Sequence, residues 1–122
     1  MARTKEAALY EFYSQFLTAY EETAVPDDAT LPYITYNIVI DSWGSETALT
    51  CSVWYRSTSW AQCNAKTREI SDTIGIGGIM LPCDGGAIWL KRGTPFAQNM
   101  TDDDDDIRRK YINITAEFIS AN

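Results

Sequence analysis

Hydrophobic and polar positions along the chain change period several times, and each change marks an element. Leu9, Phe12, Tyr13, Phe16, Leu17 and Tyr20 recur at helical spacing and make one apolar stripe. Lys5, Glu6, Glu11, Gln15, Glu21 and Glu22 fall mostly on the other side, so the spacing predicts a helix running to Tyr20. Pro26-Asp27-Asp28 breaks the pattern into a loop that lasts to Pro32. The period then becomes two. Ile34, Tyr36, Ile38 and Ile40 alternate within Tyr33 to Ile40, and Leu49, Cys51, Val53 and Tyr55 within Ala48 to Arg56. The polar connector Asp41 to Thr47, with Gly44 and an out-of-place Trp43, predicts an antiparallel hairpin.

Helical spacing returns after Ser59-Trp60-Ala61-Gln62, which fits a capping box. Trp60, Cys63, Thr67, Ile70 and Ile74 form its stripe, and Gly75 is placed to end it. The last third reads as strands. Ile79 to Cys83 and Ala87 to Arg92 flank the turn Asp84-Gly85-Gly86. A loop from Thr94 to Asp106 follows, and then a long strand, Ile107 to Ser120, with Ile112, Ile114, Ala116 and Phe118 on one face. The order α-β-β-α-β-β-β predicts an α+β fold in one domain over 1–122: a mostly antiparallel sheet with both helices on one face. The other face would carry Thr50, Ser52, Trp54 and Arg56 from one strand and Arg109, Tyr111, Asn113, Thr115 and Glu117 from another. A polar surface dotted with aromatics suits a subunit contact better than bare solvent.

Composition narrows the function. The 122 residues hold seventeen Asp and Glu against ten Lys and Arg, a net charge of −7 that argues against wrapping DNA through phosphate neutralisation. The absence of histidine removes the commonest general base and metal ligand. Cys51, Cys63 and Cys83, without a C-x-x-C pair, read as free thiols in a reducing compartment. No apolar run approaches a membrane span, and the opening residues lack the apolar core of a signal peptide, so a cytoplasmic site of synthesis is expected. Gly75-Ile76-Gly77-Gly78 lacks the Lys-Ser/Thr of a phosphate-binding loop. Cys83 beside Asp84 is the only nucleophile candidate near a turn, and it has no histidine to activate it. No cofactor site, metal cage or catalytic triad emerges, and a non-enzyme is expected.

The charged segments point instead to contacts. The acidic run Asp102-Asp103-Asp104-Asp105-Asp106 reads as a solvated loop, a cation site without the spacing of an EF-hand, or an acidic rim beside a lumen or an axial partner. Lys91-Arg92 and Arg108-Arg109-Lys110 flank it and offer partners in the same or a neighbouring subunit. Trp43 and Trp54 are candidate interface anchors, with core packing the alternative for Trp54 and with Arg56, Lys91, Arg92, Arg108 and Arg109 around them, while Trp60 and Trp89 are candidates for the core.

Several segments resemble the small neck proteins of tailed bacteriophages, the tail terminator or tail-to-head joining family. They are Val25-Pro26-Asp27-Asp28-Ala29 with Leu31-Pro32-Tyr33-Ile34-Thr35-Tyr36, Val53 through Trp60, Cys83-Asp84-Gly85-Gly86, Lys91-Arg92-Gly93-Thr94-Pro95-Phe96-Ala97-Gln98, and Arg109 through Ile114 before Glu117-Phe118. The resemblance implies an α+β subunit of a hexameric ring, without enzymatic activity. The ring caps the tail tube, stops polymerisation of the major tail tube protein and joins the tail to a head-side stopper or connector protein. DNA passes through the lumen without being specifically bound. A head-completion or stopper protein between portal and tail is the alternative. Either station implies a virion protein assembled in the bacterial host cytoplasm and in no membrane.

Overall fold

The computed structural model describes residues 3–40 and 42–120; Met1, Ala2, Ala121, Asn122 and Asp41, the first residue of the expected connector, lie outside them. Among the described residues the chain forms two helices and one six-stranded sheet, α1 (Lys5–Ser14), β1 (Ala19–Glu21), β2 (Tyr33–Tyr36), β3 (Glu46–Arg56), α2 (Ala61–Ile74), β4 (Ile79–Cys83), β5 (Gly86–Met100) and β6 (Ile107–Ser120). This is the predicted α+β order with one short strand added. The sheet order is β1-β2-β3-β6-β5-β4, antiparallel except for the β1–β2 pair.

Both helices cover the same face. The predicted core stripes Leu49, Cys51 and Val53 on β3 and Ile112, Ile114, Ala116 and Phe118 on β6 are all buried in register, Leu49 opposite Ile114 and Cys51 opposite Ile112. α2 seats Cys63, Thr67, Ile70 and Ile74 across β3, β6 and β5. α1 buries Ala8, Leu9, Phe12 and Tyr13 and touches β4 as well as β1 and β2, so the sheet curls until its two edges share one helix. The Tyr13 ring stacks on Tyr36 at 4.6 Å.

Elements that depart from the pattern do so for local reasons. Thr4 caps α1 by accepting the Ala7 amide at 3.0 Å, but the helix stops at Ser14, well short of Tyr20. Phe16 keeps its place in the core against Phe12, while Thr18 turns its carbonyl to the Ile34 amide at 2.9 Å and Ala19 to Glu21 pair with β2. Strand pairing thus overrides a helical stripe that ended in residues suited to strands. β2 ends at Tyr36 rather than Ile40 because the Asn37 side chain accepts the Thr50 amide at 2.8 Å and draws the chain off the sheet. Ile38 still packs against the core, but Ile40 is exposed. The expected capping box is absent: Ser59 accepts the Ala61 amide two residues on, and the cap residue Trp60 makes no side-chain bond. β5 continues to Met100 where a loop from Thr94 was expected. A bulge between Arg92 and Ala97 absorbs the misfit, pinned by Asn113 Nδ2 donating to the Pro95 carbonyl at 2.9 Å. Gly93 permits it, since a Cβ there would stand 2.7 Å from the Asn113 oxygen.

Candidate functional site

Strand alternation that sends Leu49, Cys51 and Val53 inward turns Thr50, Ser52 and Trp54 outward, onto a face that neither helix covers. The register sets Trp54 opposite Tyr33 on one side and Arg109 on the other, and Ser52 opposite Tyr111. A continuous network results. Tyr20 meets Tyr33 edge-on at 5.7 Å, Tyr33 meets Trp54 at 6.2 Å, and the Arg109 guanidinium lies 4.6 Å from the Trp54 ring and 5.8 Å from Tyr111. Trp54 Nε1 donates to Thr35 Oγ1 at 2.9 Å and Arg109 Nε to Ser52 Oγ at 3.0 Å. A rigid, amphipathic patch crossing four strands is the composition that contact surfaces favour at their centres.

At the opposite end of the same β3–β6 pair, Glu46 and Glu117 sit directly opposite each other, and Lys91 stands between them at 3.0 and 3.6 Å. Its hydrogen bond to Glu46, more than its burial, decides its titration and holds the ammonium above the usual lysine range. Lys91 also lies 4.5 Å from the Trp89 ring. Trp89 belongs to this outward face and not to the core: it pairs with Glu117, and its Nε1 donates to the Gly77 carbonyl at 2.9 Å.

The other expected site residues scatter. Trp43 sits in the connector before β3, beneath the Lys5 ammonium at 4.0 Å and against Gly85, away from the aromatic network. Arg108 faces the helix side, where Nη1 donates to the Asp105 carbonyl at 2.7 Å and Nη2 to the Thr58 carbonyl at 3.0 Å, and it ties β6 to the entry of α2. Arg92 is exposed at the bulge and forms no ion pair among the described residues. Arg56 closes β3 and reaches Asp104 at 3.4 Å.

Asp102–Asp106 forms the exposed tip of the β5–β6 hairpin, at the Arg56 end of the sheet. Its carboxylates turn on their own backbone: Asp102 accepts the Asp104 amide at 3.0 Å and Asp104 accepts the Asp106 amide at 2.8 Å. That amide first, and the Arg56 guanidinium with it, hold the Asp104 carboxyl below the usual range. Among the described residues no group of three Asp, Glu, Cys or His gathers as metal ligands would. Burial pushes the Cys83 thiol up, which opposes the thiolate that a nucleophile needs.

Sequence reasoning placed Trp54 and Arg109 on this face but missed Tyr20, Tyr33 and Thr35. Tyr33 and Thr35 alternate with the buried Ile34 and Tyr36, which is the available signal; Tyr20 carries none, because its residues mimic a helix.

No protein-family model matches the chain, and no curated protein matches it. Among solved structures it is similar to a chain from the virion of a native gene transfer agent (GTA) particle, with a TM-score of 0.63 and 20% sequence identity over 93% of this chain and 92% of that one. The two share a fold over nearly their whole length. Among the described residues, no helix is long and apolar enough to cross a membrane.

Proposed function

We propose that this chain is a structural subunit of a phage-like virion and that it works by packing against copies of itself and against neighbouring virion proteins. The observation that carries the reading is the near-complete fold likeness to a chain of the GTA virion. The resemblance of its segments to tail terminators narrows the station to the neck. There the subunits form a ring, expected to be hexameric, that caps the tail tube, ends its polymerisation and receives the head-side connector. The network around Trp54 and Arg109 supplies a surface for such contacts, and different surfaces meeting around a closed rotation are what a ring requires. With a net charge of −7 per subunit, the ring repels a DNA backbone and lets it slide past. Asp102–Asp106 faces the lumen or an axial partner in this reading.

Electron microscopy of particles made without this chain tests it. Tails of uncontrolled length are the expected result. Leaking filled heads beside normal free tails would move the protein to the stopper position, and unchanged particles would overturn the virion role.

A further inference from the structure

Charge is divided unevenly along the chain. Residues 6 to 55 contain eight Asp and Glu and no Lys or Arg. This block builds α1 beyond its first residue, Lys5, together with β1, β2 and most of β3, so the β1–β2 edge of the sheet and the loop between those strands carry carboxylates and no Lys or Arg of their own. Glu11 is neutralised by Arg3 and Glu46 by Lys91. Glu21, Glu22, Asp27 and Asp28, at the end of β1 and in the loop after it, are exposed and form no ion pair among the described residues.

Most of the cations beyond residue 55 are occupied. Arg56 meets Asp104, Lys66 meets Glu69, Lys110 donates to Asn64, and Arg108 is spent on backbone carbonyls. Arg109 differs. It stands on the uncovered face near the Arg56 end of the sheet, braced by Trp54, Tyr111 and Ser52, and no carboxylate of the described residues lies within ion-pair range. A guanidinium has five N–H donors, and Ser52 takes the one on Nε. A preorganised, half-buried arginine between aromatic rings is a recognition anchor that lacks its anion.

We infer that the anion comes from a second copy of this chain: the open sheet face of one copy takes the Glu21–Asp28 flank of the next, with Arg109 at the centre of the contact. This rests on the self-assembly reading above and names the surfaces that meet. The carboxylates that the open face itself carries, Glu46 and Glu117, are engaged by Lys91, so a symmetric face-to-face pair offers Arg109 no free anion. The hairpin tip is a poorer occupant, because Asp102 and Asp104 are already engaged by backbone amides and Arg56. Joining two different surfaces is a head-to-tail contact, the kind that closes into rings.

The test is sedimentation of the full chain up to millimolar concentration in low salt, with folding checked by circular dichroism. The wild type self-associates, and added salt weakens the association. Arg109→Glu and the double variant Glu21→Lys/Glu22→Lys each weaken it by about tenfold or more, and mixing the two restores it, because the reversed charges then face each other. Arg68→Glu, the same charge change on the exposed side of α2, leaves the association constant within about twofold, since it touches neither surface. A monomeric wild type, an unaffected Arg109→Glu, equal weakening by Arg68→Glu, or no rescue on mixing would each overturn the docking. Undiminished self-association of Arg109→Glu would leave the virion role standing on other surfaces, and particles unchanged by loss of the chain would remove that role by itself.

Discussion

Replacing Trp54 with alanine separates a contact surface from a core. In the isolated subunit the indole contributes a hydrogen bond to Thr35, an aromatic pair with Tyr33 and a cation–π contact with Arg109. A net hydrogen bond is worth about 1 kcal/mol, an exposed cation–π contact about 0.5–1 kcal/mol and an aromatic pair about 0.5–1.5 kcal/mol. These belong to one connected network and overlap, so Trp54→Ala is expected to destabilise the subunit by about 2 kcal/mol. Phe118→Ala, which empties a fully buried site, is the reference and is expected to lose about 3–5 kcal/mol. Urea unfolding followed by circular dichroism reads both, and about 2 kcal/mol moves the midpoint by about 1 M. Trp54→Ala is therefore expected to fold and yet to lose most of its self-association in sedimentation. A loss matching Phe118→Ala would make Trp54 a core brace, and assembly at the wild-type level would remove it from the contact surface.

Three further outcomes follow from the geometry. Gly86→Ala forces a Cβ onto the Ile119 carbonyl oxygen inside the β5–β6 pairing and is expected to cost about 2–4 kcal/mol in thermal unfolding; a change below about 0.5 kcal/mol would show that the strands yield there. The Tyr13 hydroxyl is buried without a partner among the described residues, so Tyr13→Phe is expected to be neutral or stabilising by up to about 1 kcal/mol, and a clear loss in urea titration would reveal an unseen partner. Burial pushes the Cys51 thiol and the Tyr13 phenol well up, so both stay protonated in the folded chain. Groups with raised folded-state values give their full stabilisation below the unfolded values, 9.0 for the thiol and 10.0 for the phenol, and lose it as pH rises toward the folded ones. Stability is thus expected to hold from neutral pH to about pH 8 and to fall above about pH 9, less steeply in Cys51→Ala; an identical slope in that variant would exclude the thiol as a cause.

Much of this architecture is legible in period alone, because its stripes are long and agree with one another. Leu49 through Tyr55 and Ile112 through Phe118 alternate without interruption, and their register follows from the need to bury both on one side. Cys63, Thr67, Ile70 and Ile74 are equally plain at helical spacing. The misses fall where non-local pairing decides. Phe16 to Tyr20 satisfies a helix pattern, yet Ala19 pairs with Ile34, a partner fifteen positions away that no local window contains. Thr94 to Met100 looks like a loop for its Pro and polar residues, yet it stays in the sheet because Asn113 holds its bulge. The uncovered face was legible in half. Trp54 and Arg109 follow from alternation, but their juxtaposition depends on the β3–β6 register, and the separation of Trp43 and Arg108 from them depends on where Lys5, Thr58 and Asp105 lie.

We propose that this protein acts as a repeating piece of a particle through its uncovered sheet face. A reconstruction of the virion in which the chain is located tests that directly. The expected result is a ring of copies at the neck, with Trp54 and Arg109 covered by an adjacent subunit. Particles that lack the chain, or copies whose Trp54–Arg109 face stands bare to solvent, would contradict it.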